Sequence, residues 1–88
     1  MPTISMFYGI IIRMYYSPDE HNPPHFHAYY QDRKAIVDIN SCEITTSDLA
    51  TKQNKMLVAW AELHKDELLA NWELAMKGES IYSIDPLK

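Results

Sequence analysis

The sequence predicts an α+β fold: an antiparallel sheet of three to four strands packed against one long helix in the C-terminal half. Three observations lead there. β-Branched and aromatic residues concentrate before about Thr46. Helix formers dominate from about residue 47 onward, with no proline or glycine until Gly78. The length, 88 residues with 47% hydrophobic and 23% charged, allows one domain with one core. It is too short for a doubly wound nucleotide-binding sheet or a barrel enzyme.

The elements follow in order. Residues 4–16 are rich in Ile, Tyr, Phe and Met and read as a strand. Alternation places Met6, Tyr8, Ile10, Ile12 and Met14 on one face, and Phe7, Gly9, Ile11, Arg13 and Tyr15 on the other. Both faces are largely apolar, as in a central strand. Arg13 is the exception, and near the strand end it is expected to reach solvent. Residues 17–24 hold Pro18, Pro23 and Pro24 and therefore form a loop. Residues 25–30 resume strand character, residues 31–34 turn, and residues 35–39 make a third strand. Residues 42–45 form a short fourth strand or a connection. A turn centred between Asp32 and Arg33 sets Tyr30 opposite Ala35 and His27 opposite Asp38.

Ser47 and Asp48 are the N-cap candidates for the helix, which is best defined over residues 53–77. Leu57, Trp60, Ala61, His64, Leu68, Trp72 and Ala75 make one stripe at helical spacing, so both tryptophans are expected in the core. Lys55, Glu62, Asp66, Glu73 and Lys77 gather opposite. Gly78 suits the position just past the helix end. Ile81 and Ile84 are placed to pack back as an edge strand that Pro86 would end.

Several function classes are excluded or disfavoured. Eight Lys+Arg against twelve Asp+Glu give a net charge of −4, so no global basic field holds nucleic acid. A local patch from Arg13, Arg33 and Lys34 remains, beside tyrosines that can stack on bases. The single cysteine, Cys42, cannot form an intrachain disulfide and reads as a small buried residue. The N-terminal residues lack the pattern of a secretory signal, and the apolar run over residues 6–12 is too short to span a bilayer. A cytoplasmic location is expected, with no membrane partner.

The chemistry-bearing cluster is Glu20-His21-Asn22-Pro23-Pro24-His25-Phe26-His27. On a strand, His25 and His27 leave the same face about 7 Å apart. His21 sits in a proline-stiffened loop close enough to fold over them. Three converging imidazoles suit a divalent, zinc-like metal. Two suit acid–base chemistry on a phosphodiester, because an imidazole ordinarily titrates near neutrality. Asp38 opposite His27 would orient that ring. His64 adds a fourth imidazole, and Glu67 and Asn71 flank it in a polar trio that would meet the His25/His27 face. The competing reading is aromatic packing of the histidines against Tyr16 and Tyr29, which with Arg13 are the candidate binding residues.

Residues 2–16, the Glu20–His27 segment, and the run from Trp60 to Trp72 together resemble a widespread bacterial family, domain-of-unknown-function family 4160. Gly78 and the ending Ile84-Asp-Pro-Leu fit the same pattern. This chain departs from it at residues 31–34 and 46–50, where many members carry a glycine and a Leu-Pro pair. The resemblance implies a small cytoplasmic protein, often the neighbour of a second small family, in pairs similar to toxin–antitoxin modules. Two functions fit that setting. One is binding a small protein partner encoded nearby, with a homodimer also compatible. The other is a histidine-dependent or metal-dependent hydrolase, a ribonuclease-like toxin acting on RNA through His21, His25 and His27.

Overall fold

A computed structural model describes residues 3–16 and 22–88. Five strands run β1 (Thr3–Phe7), β2 (Ile10–Arg13), β3 (His25–Tyr30), β4 (Arg33–Asp38) and β5 (Glu43–Ser47), followed by helices α1 (Thr51–Leu63) and α2 (Lys65–Met76). The sheet order is β1-β2-β3-β4-β5, every neighbouring pair antiparallel. The α+β class is as the sequence predicts, but with five strands and two helices.

The extra strand comes from Gly9. Tyr8 at φ +50° and Gly9 at φ +82° both occupy the left-handed region. A two-residue loop with positive φ at both positions matches the twist of a hairpin, so the expected single strand folds into β1 and β2. Phe7 then pairs with Ile10 and Ser5 with Ile12, which inverts the alternation expected for β1. Phe7 is core and Met6 is 62% exposed.

The β3–β4 turn is Gln31-Asp32, tighter than expected, with Gln31 at φ +56°. Pairing therefore shifts by two residues: Tyr30 faces Arg33, His27 faces Ile36 and His25 faces Asp38. A shift of two preserves each residue's face. The fourth expected strand is real and extends to Ser47 as β5, with an irregular step in its pairing opposite Ile36 and Val37.

The helix breaks at His64, whose φ −119° and ψ 23° leave the helical region. The hydrogen bonds His64 N–H to Trp60 C=O and Leu68 N–H to His64 C=O carry the chain across the break. Asp66 and Glu67 in the first turn of α2 favour a helix start there. The N-cap of α1 is Ala50, not Ser47 or Asp48. Those two residues serve neighbouring groups instead: the Ser47 hydroxyl donates to Asn54 Oδ1, and the Asp48 carboxylate accepts the Lys34 N–H. At the end of α2, Glu79 N–H bonds Leu74 C=O and Gly78 N–H bonds Ala75 C=O, with Gly78 at φ +73°. This is the paired-bond ending that glycine favours.

The core lies between the sheet and the helices. Ile10, Ile12, Met14, Phe26, Ala28, Ala35, Val37 and Ile39 from the sheet meet Leu57, Trp60, Ala61, Leu68, Trp72 and Ala75 from the helices. Trp60 sits at its centre, its ring 5.4 Å from Phe7 and 5.5 Å from Phe26. Both tryptophans are buried as expected, and each indole N–H has an acceptor: Asp85 C=O for Trp60 and Asn22 Oδ1 for Trp72. The tail packs back on β1 through Ile84, whose N–H bonds Ile4 C=O, without becoming a regular strand. No helix among the described residues is long and apolar enough to cross a membrane.

Candidate functional site

Alternation along β2 and β3 sends Ile12, Phe26 and Ala28 into the core and leaves Arg13, His27 and Tyr29 on the opposite face, away from the helices, with His25 at the strand end where that face meets α2. Tyr15, just past β2, joins them. All five side chains are half-buried. They form a continuous patch. The His27 ring meets Tyr15 edge-on at 4.6 Å, lies 5.3 Å from His25, and runs nearly parallel to Tyr29 at 6.5 Å. The Tyr15 and Tyr29 hydroxyls hydrogen-bond to each other. The Arg13 guanidinium stands 5.3 Å from the centre of the Tyr29 ring, a cation–π arrangement. Arg13 therefore does not simply reach for solvent as expected. Its Nε is buried without a hydrogen-bond partner among the described residues.

His25 begins β3, where the patch reaches the end of the sheet and touches α2. Its ring lies 5.1 Å from Trp72. Its Nδ1 is 2.8 Å from the Pro23 carbonyl, an acceptor, so Nδ1 carries the proton. In the neutral ring the lone pair is then on Nε2. The residues before β3 hold this nitrogen in place: Asn22 is tied to Trp72, and Pro24 C=O accepts the Ile39 N–H.

The remaining candidates fall elsewhere. Asp38 lies across from His25 rather than His27, and its carboxylate accepts the Ser41 N–H in the β4–β5 turn. His64 stays with the core: its ring is 5.5 Å from Trp60 and its Nδ1 is 2.6 Å from Glu67 Oε1. Asn71 is buried and holds the tail, with Nδ2 donating to Tyr82 C=O at 2.8 Å and Oδ1 accepting Tyr82 N–H at 3.0 Å. The expected trio of His64, Glu67 and Asn71 is therefore not a unit on the His25/His27 face. Tyr16 packs against the core, and Tyr15 takes the place expected for it. His21 lies outside the described residues. Among the described residues no three His, Cys, Asp or Glu side chains come close enough to hold a metal. His25 and His27 supply two imidazoles, and a third protein ligand would have to come from residues such as His21.

Cys42 is buried in the β4–β5 turn at φ +58°, its Sγ 3.6 Å from Ile39 C=O. Burial raises its thiol pKa above 9.0, and the nearby Glu62 carboxylate adds to the rise. This matches an inert structural thiol.

Tyr15 and Trp72 are the site contributors that sequence reasoning did not single out. For Tyr15 the signal was present: it shares the odd-numbered face of Arg13. Trp72 carried none, because its helical stripe marks it as core and nothing local shows that its edge meets His25.

Fold and site together define a small α+β protein with a meander sheet, helices on one face and a histidine–tyrosine–arginine patch on the other. The chain belongs to the family described as Domain of unknown function (DUF4160), whose model matches residues 9–73. That span covers β2 through most of α2, and so every member of the patch. No curated protein and no solved structure matches the chain.

Proposed function

We propose that this chain binds a small protein partner, encoded beside it, through the helix-free face of its sheet. In this reading it is one component of a two-gene module of the toxin–antitoxin kind. The observation that supports it is the contiguous, half-buried patch in which Arg13, Tyr15, His27 and Tyr29 lie on the face the helices leave uncovered and His25 reaches the edge of α2 at Trp72. Tyr and Arg are enriched among residues that carry binding energy once desolvated. Here their rings are already fixed by one another, which lowers the ordering cost of association. The test is co-expression with the adjacent gene product. A stable complex that Tyr29→Ala and Arg13→Ala each weaken by tenfold or more supports the reading. A chain that stays alone, or a complex indifferent to both changes, overturns it.

One observation favours a second reading, cleavage of RNA. His25 has its tautomer set by Pro23 and lies beside His27. His25 would serve as the base that takes the proton of a ribose 2′-hydroxyl as that oxygen bonds phosphorus. His27, protonated, would give a proton to the departing 5′-oxygen, and Arg13 would face the phosphate charge. A divalent ion held by His21, His25 and His27 would serve hydrolysis as well. This reading expects growth arrest on expression, relieved by His25→Ala/His27→Ala. Metal analysis of chelator-free protein beside the same variant separates its two forms.

A further inference from the structure

The two edges of the sheet are treated differently. On the β1 edge, the chain's own tail supplies the Ile84 N–H to Ile4 C=O. On the other edge, β5 pairs with β4 and with no other strand among the described residues. An edge strand presents outward N–H and C=O groups that template another strand. Beside β5, on the helix side of the sheet, lies a groove of about 410 Å³ lined by Ile44, Thr51, Asn54, Lys55, Val58 and Ala59. Ile44 and Val58 are half-buried, so apolar surface stays open next to the edge.

We propose that the β5 edge and this groove together take an extended segment of another protein. The segment would be about as long as β5, apolar at alternate positions and acidic where it passes Lys55. Strand addition explains the pairing of features. Main-chain hydrogen bonds to an edge supply affinity, and pockets for alternate side chains supply specificity. The chemistry of the occupant follows from the lining. Ile44, Val58 and Ala59 select aliphatic side chains, and Lys55 is the one charged group among the lining residues. A second copy of this chain fits less well. β5 reads Glu-Ile-Thr-Thr-Ser, so a second copy pairing through β5 would bring one aliphatic side chain, Ile44, where the groove takes aliphatic side chains at alternate positions. The groove lies across the sheet from His27 and Tyr29, so binding here does not depend on the open-face reading.

The test uses the full chain, isotope-labelled, titrated with a synthetic hexapeptide of alternating valine and glutamate. Controls are the valine–lysine peptide and a valine–glutamate peptide N-methylated at alternate residues. Saturable shifts at the amides of Glu43–Ser47 and of Val58 and Ala59 are expected. Affinity should fall at least tenfold for either control and for Val58→Glu. Lys55→Glu, an exposed change that leaves the fold intact, should reverse the preference toward the valine–lysine peptide. No saturable shifts, shifts confined to the open face, or equal binding of both charged peptides would overturn the proposal. Separate self-association through β5 would overturn it in favour of a homodimer.

Discussion

Asn71→Ala is the sharpest test of how the tail is held. Asn71 is 1% exposed and makes two hydrogen bonds to the Tyr82 backbone. Each is worth about 1 kcal/mol net, so their joint loss costs about 2 kcal/mol. For a chain of this size that lowers Tm by roughly 8–16 °C. The loss should spread along the tail, because Ile84 N–H to Ile4 C=O and Trp60 indole N–H to Asp85 C=O depend on the same docking. The assay is urea unfolding together with amide hydrogen exchange, in which Tyr82 and Ile84 should exchange faster before global unfolding. Asn71→Asp keeps the acceptor for Tyr82 N–H but sets a carboxylate against Tyr82 C=O. It should therefore destabilise at pH 7 and recover partly at acidic pH, where the protonated carboxyl donates. A cost below about 0.5 kcal/mol for Asn71→Ala, with Ile84 protection unchanged, would refute the clamp.

Other expectations follow from the same packing. Gly9→Ala should cost about 1–2 kcal/mol, from positive φ and from a Cβ 3.1 Å from Tyr30 Cε1. Gly78→Ala, with nothing within 4 Å of its Cβ, should cost only the backbone term of about 1 kcal/mol. Equal losses in denaturant melts would contradict that ordering. For Cys42 the folded thiol pKa is raised, so above pH 9.0 the unfolded state gives up its proton first and stability falls as pH rises. Cys42→Ala should flatten that alkaline slope, and native Cys42 should resist thiol reagents at pH 8. Rapid labelling of folded protein would contradict the burial. Tyr15→Phe removes the hydroxyl bond to Tyr29 and should cost about 0.5–1 kcal/mol. A thermal melt indistinguishable from the unaltered protein would count against that bond.

The division into a β half and an α half was legible because residue type and spacing report it directly. The helical stripe from Leu57 to Ala75 survived the break at His64, since hydrogen bonding continues across it and the buried side barely turns. The break itself was not legible. No proline or glycine marks it, and it shows only in the backbone angles of His64. Gly9 was visible as a glycine in an apolar run, yet Tyr8 beside it hid the turn, because a bulky residue at positive φ is uncommon. The register error at Asp32 had the same origin in Gln31. Pairing by hydrophobic alternation cannot distinguish shifts of two residues, so His25 and His27 share a face as expected, while Asp38 went to His27 instead of His25 and that face was wrongly expected to meet the His64 side of the helix. The shared face of His25 and His27 came from strand period alone. The separation of Asn71 from that face reflects its bonds to the Tyr82 backbone, which no sequence period reveals, while His64 stays beside Trp60 and Glu67.

The open sheet face is the proposed protein-binding surface. The most direct measurement is isothermal titration of the purified chain with the product of the adjacent gene, alongside Tyr29→Ala, Arg13→Ala and the His25→Ala/His27→Ala variant. A stoichiometric complex is expected, weakened at least tenfold by each open-face change while the thermal melts stay cooperative. No heat of binding, or equal affinity for the unaltered chain and all three variants, would contradict it.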